Sequence, residues 1–229
     1  MAADFQYLVF LNYHVDRDLL SSRMPEGVQL QLFNGKAYIS IVAFLFKNLQ
    51  VAGIPAPFHQ QFEQVNLRFY VKQGTAAAEK RGVVFIREIV PKTLIANAAQ
   101  VLFHEKYIRV PMSHRYQIDE SPLNEVEYSW QTERKNCSVR AVFEKNWSYP
   151  EQNSAEHFFT DRAFSFTRMK DGTTREMIVE HPLWRTAPVK EAKTEYDIPE
   201  VFGTEFVPYL TLQPASAFIA EGSSVSLKD

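Results

Sequence analysis

Alternation of apolar and polar residues over short segments is the sequence feature that most constrains how this chain folds. The clearest case lies between residues 65 and 72. One face of this segment holds Val65, Leu67, Phe69 and Val71, and the opposite face holds Asn66, Arg68 and Tyr70. Side chains of a strand point alternately to opposite faces, so this pattern predicts a β-strand with one apolar and one polar face.

Strand patterns of this kind recur along the chain and outnumber helical ones. Segment 28–33 alternates and precedes Asn34-Gly35, a hairpin signal that predicts pairing with residues 36–46. Further strands are predicted at residues 5–13, 82–90, 107–118, 125–132, 138–144, 163–169, 175–180, 209–212 and 215–220. The one clear helix is predicted from Pro91 to about Phe103, and a short helical turn is predicted at residues 154–161.

These elements predict the fold class and the domain organisation. We expect an α+β, mostly antiparallel, barrel-like structure with one main outer helix, forming a single domain over residues 1–229. Residues 188–200 are predicted to form a charged surface loop, and residues 222–229 a loose end.

Composition excludes several classes of protein. The 229 residues carry a formal net charge of -2, so no global positive field favours nucleic acid or an anionic membrane. With one cysteine, Cys137, the chain forms no internal disulfide. The first residues lack the pattern of a signal peptide, and no apolar run approaches the ~20 residues of a membrane span. We therefore expect a cytoplasmic protein; the sequence predicts no oligomeric state.

Standard catalytic and cofactor motifs are absent from the sequence. It contains no Gly-rich phosphate loop, no G-x-S-x-G, no H-E-x-x-H and no C-x-x-C. The 6 histidines are scattered, and none is paired at the helical spacing that is typical of zinc sites. We therefore expect no metal site and no cofactor. Cys137 lies near a predicted turn without an electropositive helix start beside it and is expected to be inert.

Four segments, read in order, resemble the YqjF-like family of bacterial proteins. They are "NYHVDRDLLSSRMPEGVQLQLFNGKAYISIVAF" at residues 12–44, "NLRFYV" at 66–71, "FFTDR" at 158–162 and "HPLW" at 181–184. No single segment is specific, but the ordered set covers nearly the whole chain. This family is similar in fold to acetoacetate decarboxylase. The resemblance implies a cone-shaped, mostly antiparallel β-barrel that encloses a pocket, with a helix packed outside.

The resemblance also raises the question of a reactive lysine. Acetoacetate decarboxylase forms a Schiff base through a lysine in a G-x-P-K-K motif that follows the helix, and the lysine must be neutral to react. The corresponding stretch here reads Leu102-Phe103-His104-Glu105-Lys106-Tyr107. Tyr107 occupies the position of the reactive lysine, and Ile108 occupies that of the second lysine. Lys106 is one residue out of register, which places it on the opposite face of an extended segment unless a bulge intervenes.

The polar face of segment 65–72 supplies the first ligand-binding candidates. If this face lines the barrel, Arg68 is placed to bind a carboxylate through two parallel hydrogen bonds, with Tyr70 beside it. The alternative is an arginine that faces solvent or an ion pair. The resemblance makes Glu63, just upstream, a candidate acid–base group, because a glutamate occurs in a comparable segment of the decarboxylase family. The role of counter-ion to Arg68 is favoured.

The C-terminal half supplies three further candidates. Arg162 is a candidate for an anion site, and Trp184 is a candidate for an apolar pocket wall. The structural alternative for Trp184 is a core or plugging residue. His181 precedes a proline and is either a ligand contact or a ring hydrogen-bonded to a carbonyl.

The residues leave three functions open. The leading one is an internal pocket that binds a small organic acid or carbonyl compound. The second is a decarboxylase- or lyase-type enzyme using Lys106, Tyr107 or Glu63. The third is a non-catalytic interaction protein whose barrel is filled by its own aromatic side chains. A ligand pocket is expected to enclose about 300 Å³ or more.

Overall fold

The computed structural model describes residues 1–56, 60–75, 78–91, 107–119 and 122–228. Its strands are β1 (Ala2–Val15), β2 (Gln29–Leu30), β3 (Ala37–Val51), β4 (Ile54–Pro55), β5 (Gln61–Gln73), β6 (Lys80–Val90), β7 (Tyr107–Arg109), β8 (Met112–Gln117), β9 (Asn124–Gln131), β10 (Asn136–Phe143), β11 (Phe164–Arg168), β12 (Thr174–Glu180), β13 (Thr186–Glu195) and β14 (Ser216–Lys228). Its α-helices are α1 (Arg17–Ser21), α2 (Ala155–Thr160), α3 (Ile198–Val201) and α4 (Val207–Leu210), with a 3₁₀ turn at Thr204–Phe206. Among these described helices, none has the length and apolarity to span a bilayer.

Seven of these strands pair in a closed ring. Their order is β1, β3, β5, β6, β11, β12 and β14, and β14 pairs back onto β1. All neighbours in the ring are antiparallel except β6 and β11, which are parallel. A sheet that pairs with itself buries its backbone donors and acceptors and leaves no ring strand with a free edge. The mostly antiparallel, barrel-like class predicted from the sequence is confirmed.

A second layer of strands continues from the ring. β13 pairs with the start of β14 and is followed by β10, β9 and β8. One large core lies between this layer and the outer face of the ring, and it includes Leu67, Phe69 and Tyr128. A separate core contains Phe10, Phe44 and other side chains from the opposite faces of the same ring strands. The long ring strands are therefore apolar on both faces, as buried strands are.

A β-bulge in β1 redirects side chains at the ring. Between the Gln6–Leu45 and Val9–Ala43 pairs, Tyr7 and Leu8 lie opposite the single residue Phe44, and Tyr7 has a φ of 49°. Such an insertion reverses the alternation of faces. Tyr128 of β9 donates its hydroxyl hydrogen bond to the Tyr7 carbonyl at 2.9 Å, so the second layer ties down the bulge.

The hairpin predicted for residues 28–33 and 36–46 is wrong. Only Gln29–Leu30 form a strand, and this strand pairs with β5. β3 already has β1 and β5 on its two edges, so no edge is left for a hairpin partner. The Asn34-Gly35 turn survives as one bridge between Phe33 and Lys36.

Three expectations for the C-terminal third are also wrong. Residues 209–212 do not form a strand, since they overlap α4, where Pro208 occupies the first turn. The predicted loop at 188–200 is mostly strand β13, whose outward charges made it resemble a loop. The segment expected to be loose is part of β14 as far as Lys228, where pairing with β1 and β12 orders it. Its last residue, 229, and residues 92–103 of the helix predicted from Pro91 lie outside the described residues.

Other predicted elements are confirmed. The β9–β10 and β11–β12 hairpins and the short helix α2 lie where the sequence predicts them. The predicted partner of segment 65–72 is β6. The 107–118 segment divides at Pro111 into β7 and β8, because proline cannot donate a ladder hydrogen bond.

We expect Tyr128→Phe to lower the free energy of unfolding by about 1–3 kcal/mol, because it leaves the bulge carbonyls without their donor in a buried position. The matched control is Tyr116→Phe, which removes only the partner hydroxyl at 2.7 Å. Urea unfolding followed by circular dichroism measures both variants. Equal losses, or none for Tyr128→Phe, would show that the tie to the bulge contributes nothing.

Candidate functional site

The ring encloses a cavity of about 110 Å³. Side chains from all seven ring strands line it, which places it inside the ring. The polar lining consists of Gln64, Asn66, Arg68, Glu88, Tyr107, Thr160, Arg162 and His181. The apolar lining is mainly Phe5, Leu8, Phe44, Phe46, Phe85 and Trp184. The cavity is therefore an aromatic chamber with a small number of converging polar groups, as small-molecule sites usually are.

The polar wall comes from the alternation in β5. Gln64, Asn66 and Arg68 project from one face of this strand and are all buried. Glu88 reaches the same cavity from β6 because of a second bulge. Leu67 pairs with Arg87 and Arg68 pairs with Phe85, so Ile86 is an extra residue in β6. This bulge turns both Phe85 and Glu88 toward the cavity. Gln64 donates a hydrogen bond to Glu88 at 2.6 Å.

The guanidinium of Arg68 is buried with an incomplete set of partners. Its Nη2 donates to the Phe159 carbonyl at 3.1 Å, whereas its Nε has no hydrogen-bond partner among the described residues. The group lies over the rings of Phe10 and Tyr70, 5.1 Å and 5.7 Å from their centroids. Aromatic faces attract a cation, but this attraction stabilises the guanidinium less than the hydration that it loses on burial.

Arg162 lies beside it and is also buried. Its guanidinium donates to the Phe158 carbonyl and to Gln31, and it lies over the Phe158 ring at 4.2 Å and the Tyr70 ring at 5.2 Å. Burial, and to a lesser extent repulsion from Arg68, lowers the pKa of Arg162 to about 9, so the group is charged at neutral pH. Within the part of the chain that the structure describes, neither arginine forms an ion pair with a carboxylate.

Tyr70 lies behind the cavity wall and does not line it. Its hydroxyl donates to Ser40, Ser40 donates to Asn12, and Asn12 donates to Ser216. This chain of hydrogen bonds crosses four adjacent ring strands. It fixes the Tyr70 ring, over which both guanidiniums lie. Tyr70, a ligand-binding candidate from the sequence, therefore orients the arginines instead of lining the cavity.

His181 and Trp184 form an aromatic part of the wall. Their rings stack at 4.0 Å with an interplanar angle of 16°. Trp184 donates to Ser223 at 2.8 Å, and the His181 Nδ1 lies 2.8 Å from the Pro182 carbonyl. Burial lowers the pKa of His181, which favours the neutral imidazole.

The three catalytic candidates have different positions. Tyr107 lines the cavity and pairs with Glu88 across the parallel β6–β7 ladder. Lys106 lies outside the described residues. Glu63 is on the other face of β5 and contacts His114 at 2.6 Å. The expectation that Glu63 is the counter-ion of Arg68 is wrong, because an odd separation along a strand places side chains on opposite faces.

Three lining residues, Gln64, Asn66 and Glu88, were not proposed from the sequence as site residues. The first two share the alternation that singled out Arg68, so that signal was available. Glu88 was hidden by the bulge, which no residue pattern in β6 marks. Outside this site, burial raises the pKa of the Cys137 thiol, in keeping with an inert cysteine.

The cavity is smaller than the 300 Å³ expected for a ligand pocket. Its 110 Å³ suits a compound with roughly four to seven non-hydrogen atoms. A ligand of this size is held by a few groups, so the charged ones dominate its recognition.

The comparison that decides the family covers almost the whole chain. The DUF2071 family, described as "Uncharacterized conserved protein (COG2071)", matches residues 2–224. The chain belongs to this family. It is 27% identical over 182 residues to the "Uncharacterized protein YqjF" of Bacillus subtilis (strain 168), covering 76% of this chain and 70% of that protein. The resemblance stated from the four segments is confirmed.

Solved structures with a similar fold include acetoacetate decarboxylases. The enduracididine biosynthesis enzyme MppR has a TM-score of 0.65 at 11% identity, covering 100% of this chain and 85% of that chain. An acetoacetate decarboxylase-like enzyme from Sphingomonas wittichii RW1 has a TM-score of 0.63 at 10% identity, covering 99% and 91%. Acetoacetate decarboxylase from Legionella pneumophila has a TM-score of 0.60 at 8% identity, covering 99% of this chain and 84% of that chain. At these identities the likeness establishes the fold alone.

The different partners of the two arginines predict different effects of their removal. We expect Arg68→Met to change the free energy of unfolding by less than about 1 kcal/mol, because the lost hydrogen bond to Phe159 is offset by the removal of an unpaired buried charge. Arg162→Met is expected to cost about 2 kcal/mol, since Phe158 and Gln31 both lose a charged donor. Urea unfolding at pH 7 measures both. A large loss for Arg68→Met would identify Arg68 as a structural residue.

Proposed function

We propose that this DUF2071 protein binds a small monocarboxylate inside the ring, with Arg68 and Arg162 holding the carboxylate group. The observation that carries the proposal is the pair of buried guanidiniums without a carboxylate partner among the described residues. Burying an unpaired charge is costly, so such groups are concentrated at binding and catalytic sites. A bound anion supplies the missing counter-charge through short, charge-assisted hydrogen bonds.

The charges of the two arginines support an anionic ligand. Arg68 and Arg162 bring two positive charges to the cavity wall, so a carboxylate is favoured there over a neutral group. The Phe5, Phe44 and Trp184 side of the wall suits a short hydrocarbon part.

The other two functions have less support. An enclosed cavity with converging charges argues against a barrel filled by its own side chains. A Schiff-base enzyme needs a lysine at the cavity, and the position that the resemblance assigns to the reactive lysine is held by Tyr107, which lines the cavity. The similar fold of MppR, one structure of which is described as complexed with pyruvate, supports a small acid as ligand. We also propose a cytoplasmic location, because Cys137 is a buried free thiol.

Isothermal titration with butyrate and with butyramide, its neutral amide, tests the proposal. We expect butyrate to bind and butyramide to bind at least about tenfold more weakly, because hydrogen bonds to charged groups contribute about 1.5–3 kcal/mol. Arg68→Met is expected to lose butyrate binding by a similar factor. The matched control is Arg168→Met, which removes an exposed arginine of ring strand β11 and leaves binding unchanged.

Equal binding of acid and amide, or unchanged binding in Arg68→Met, would overturn the proposal. Borohydride added with pyruvate or acetoacetate separates binding from Schiff-base chemistry. We expect no lysine adduct by mass spectrometry. An adduct would establish the enzymatic alternative.

A further inference from the structure

Two neighbouring lining residues of β5 each carry a buried polar atom without a hydrogen-bond partner among the described residues. These atoms are the Nε of Arg68, a donor, and the Oδ1 of Asn66, an acceptor. Asn66 is 2% exposed and Arg68 is 9% exposed. Both project into the cavity from the same face of β5, separated by one residue.

Unpaired buried polar atoms are rare in native proteins, because each one forfeits its hydrogen bonds to water. A ligand that pairs with both atoms recovers this loss. The Arg68 Nε requires an acceptor, which a carboxylate provides. The Asn66 Oδ1 requires a donor, which a carboxylate does not provide.

We propose that the ligand is a short hydroxycarboxylic acid. Its carboxylate accepts from the Arg68 Nε, and its hydroxyl group donates to the Asn66 Oδ1. This inference rests on the proposed function, since it assigns a second contact to the same ligand. It also distinguishes a hydroxy acid from an oxo acid, which the similarity in fold does not. An oxo acid presents only acceptor oxygens beside its carboxylate, so its carbonyl would face the Asn66 oxygen without a hydrogen between them.

Of the described amides that line the cavity, Asn66 is the one whose buried oxygen lacks a partner among the described residues. The Gln64 amide donates to Glu88, and the Thr160 hydroxyl donates to the Glu156 carbonyl at 2.7 Å. Residues two apart on a strand have Cα atoms roughly 6.5–7 Å apart. A hydroxyl one or two carbons from the carboxylate, with a hydrogen bond of about 2.8 Å at each end, reaches groups at two such positions. The 110 Å³ cavity limits the acid to a short chain.

Titration with a matched set of four-carbon acids tests this inference. The set consists of butyrate, 3-hydroxybutyrate and freshly prepared acetoacetate, which differ at one carbon. We expect wild-type protein to bind 3-hydroxybutyrate about five- to tenfold more tightly than butyrate, as one additional hydrogen bond allows. Acetoacetate is expected to bind no more tightly than butyrate. Asn66→Leu, which replaces the amide by an apolar group of similar size, is expected to bind butyrate and 3-hydroxybutyrate equally.

Thr160→Val is the control within the same wall, and it is expected to retain the preference for the hydroxy acid. If Asn66→Leu does not fold, Asn66→Ala removes the amide without adding bulk. Failure of every acid to bind would overturn the proposed function itself. Binding of butyrate with no gain from the hydroxyl, a gain that persists without Asn66, or a preference for acetoacetate would overturn only the hydroxy-acid inference.

Discussion

The pairing of β14 with β1 is the interaction on which the rest of the structure depends. These strands are distant in sequence, yet they pair from Ala2–Ser226 to Asn12–Ser216 and so convert an open sheet into a ring. Closure creates an interior that is shielded from solvent. Inside such a space a charge interacts more strongly with its surroundings and is more costly to leave unpaired than it is in water. Arg68 and Arg162 lie in this environment, whereas the exposed arginines of the protein lie in water.

The fold retains these two like charges side by side through several modest contacts. Carbonyl groups from the last turn of α2 accept from both guanidiniums. Both guanidiniums also lie over the Tyr70 ring, which is held by a hydrogen-bonded chain across four strands. These contacts orient the arginines without neutralising them. The site is thus preorganised for an anion, which reduces the ordering that binding itself must accomplish.

Much of this arrangement was predictable from the sequence, for physical reasons that differ from residue to residue. Arg68 was identified because strict alternation in β5 assigns faces from residue spacing alone. Glu63 was wrongly predicted to pair with Arg68, although its odd separation from Arg68 already places it on the opposite face of β5. Glu88 was missed because a bulge in β6 reverses the parity, and bulges depend on the registers of both neighbouring strands. Segment 28–33 was misassigned because pairing depends on which edges are free, and that is a property of the whole sheet.

The central claim is that Arg68 and Arg162 hold a carboxylate inside the ring, and a crystal structure of the protein grown with a saturating short-chain carboxylate tests it most directly. The account predicts a carboxylate oxygen about 2.7–3.1 Å from the Arg68 Nε, with the hydrocarbon part against the aromatic wall. An acid bound outside the ring, or a protein carboxylate already paired with both guanidiniums, would contradict it.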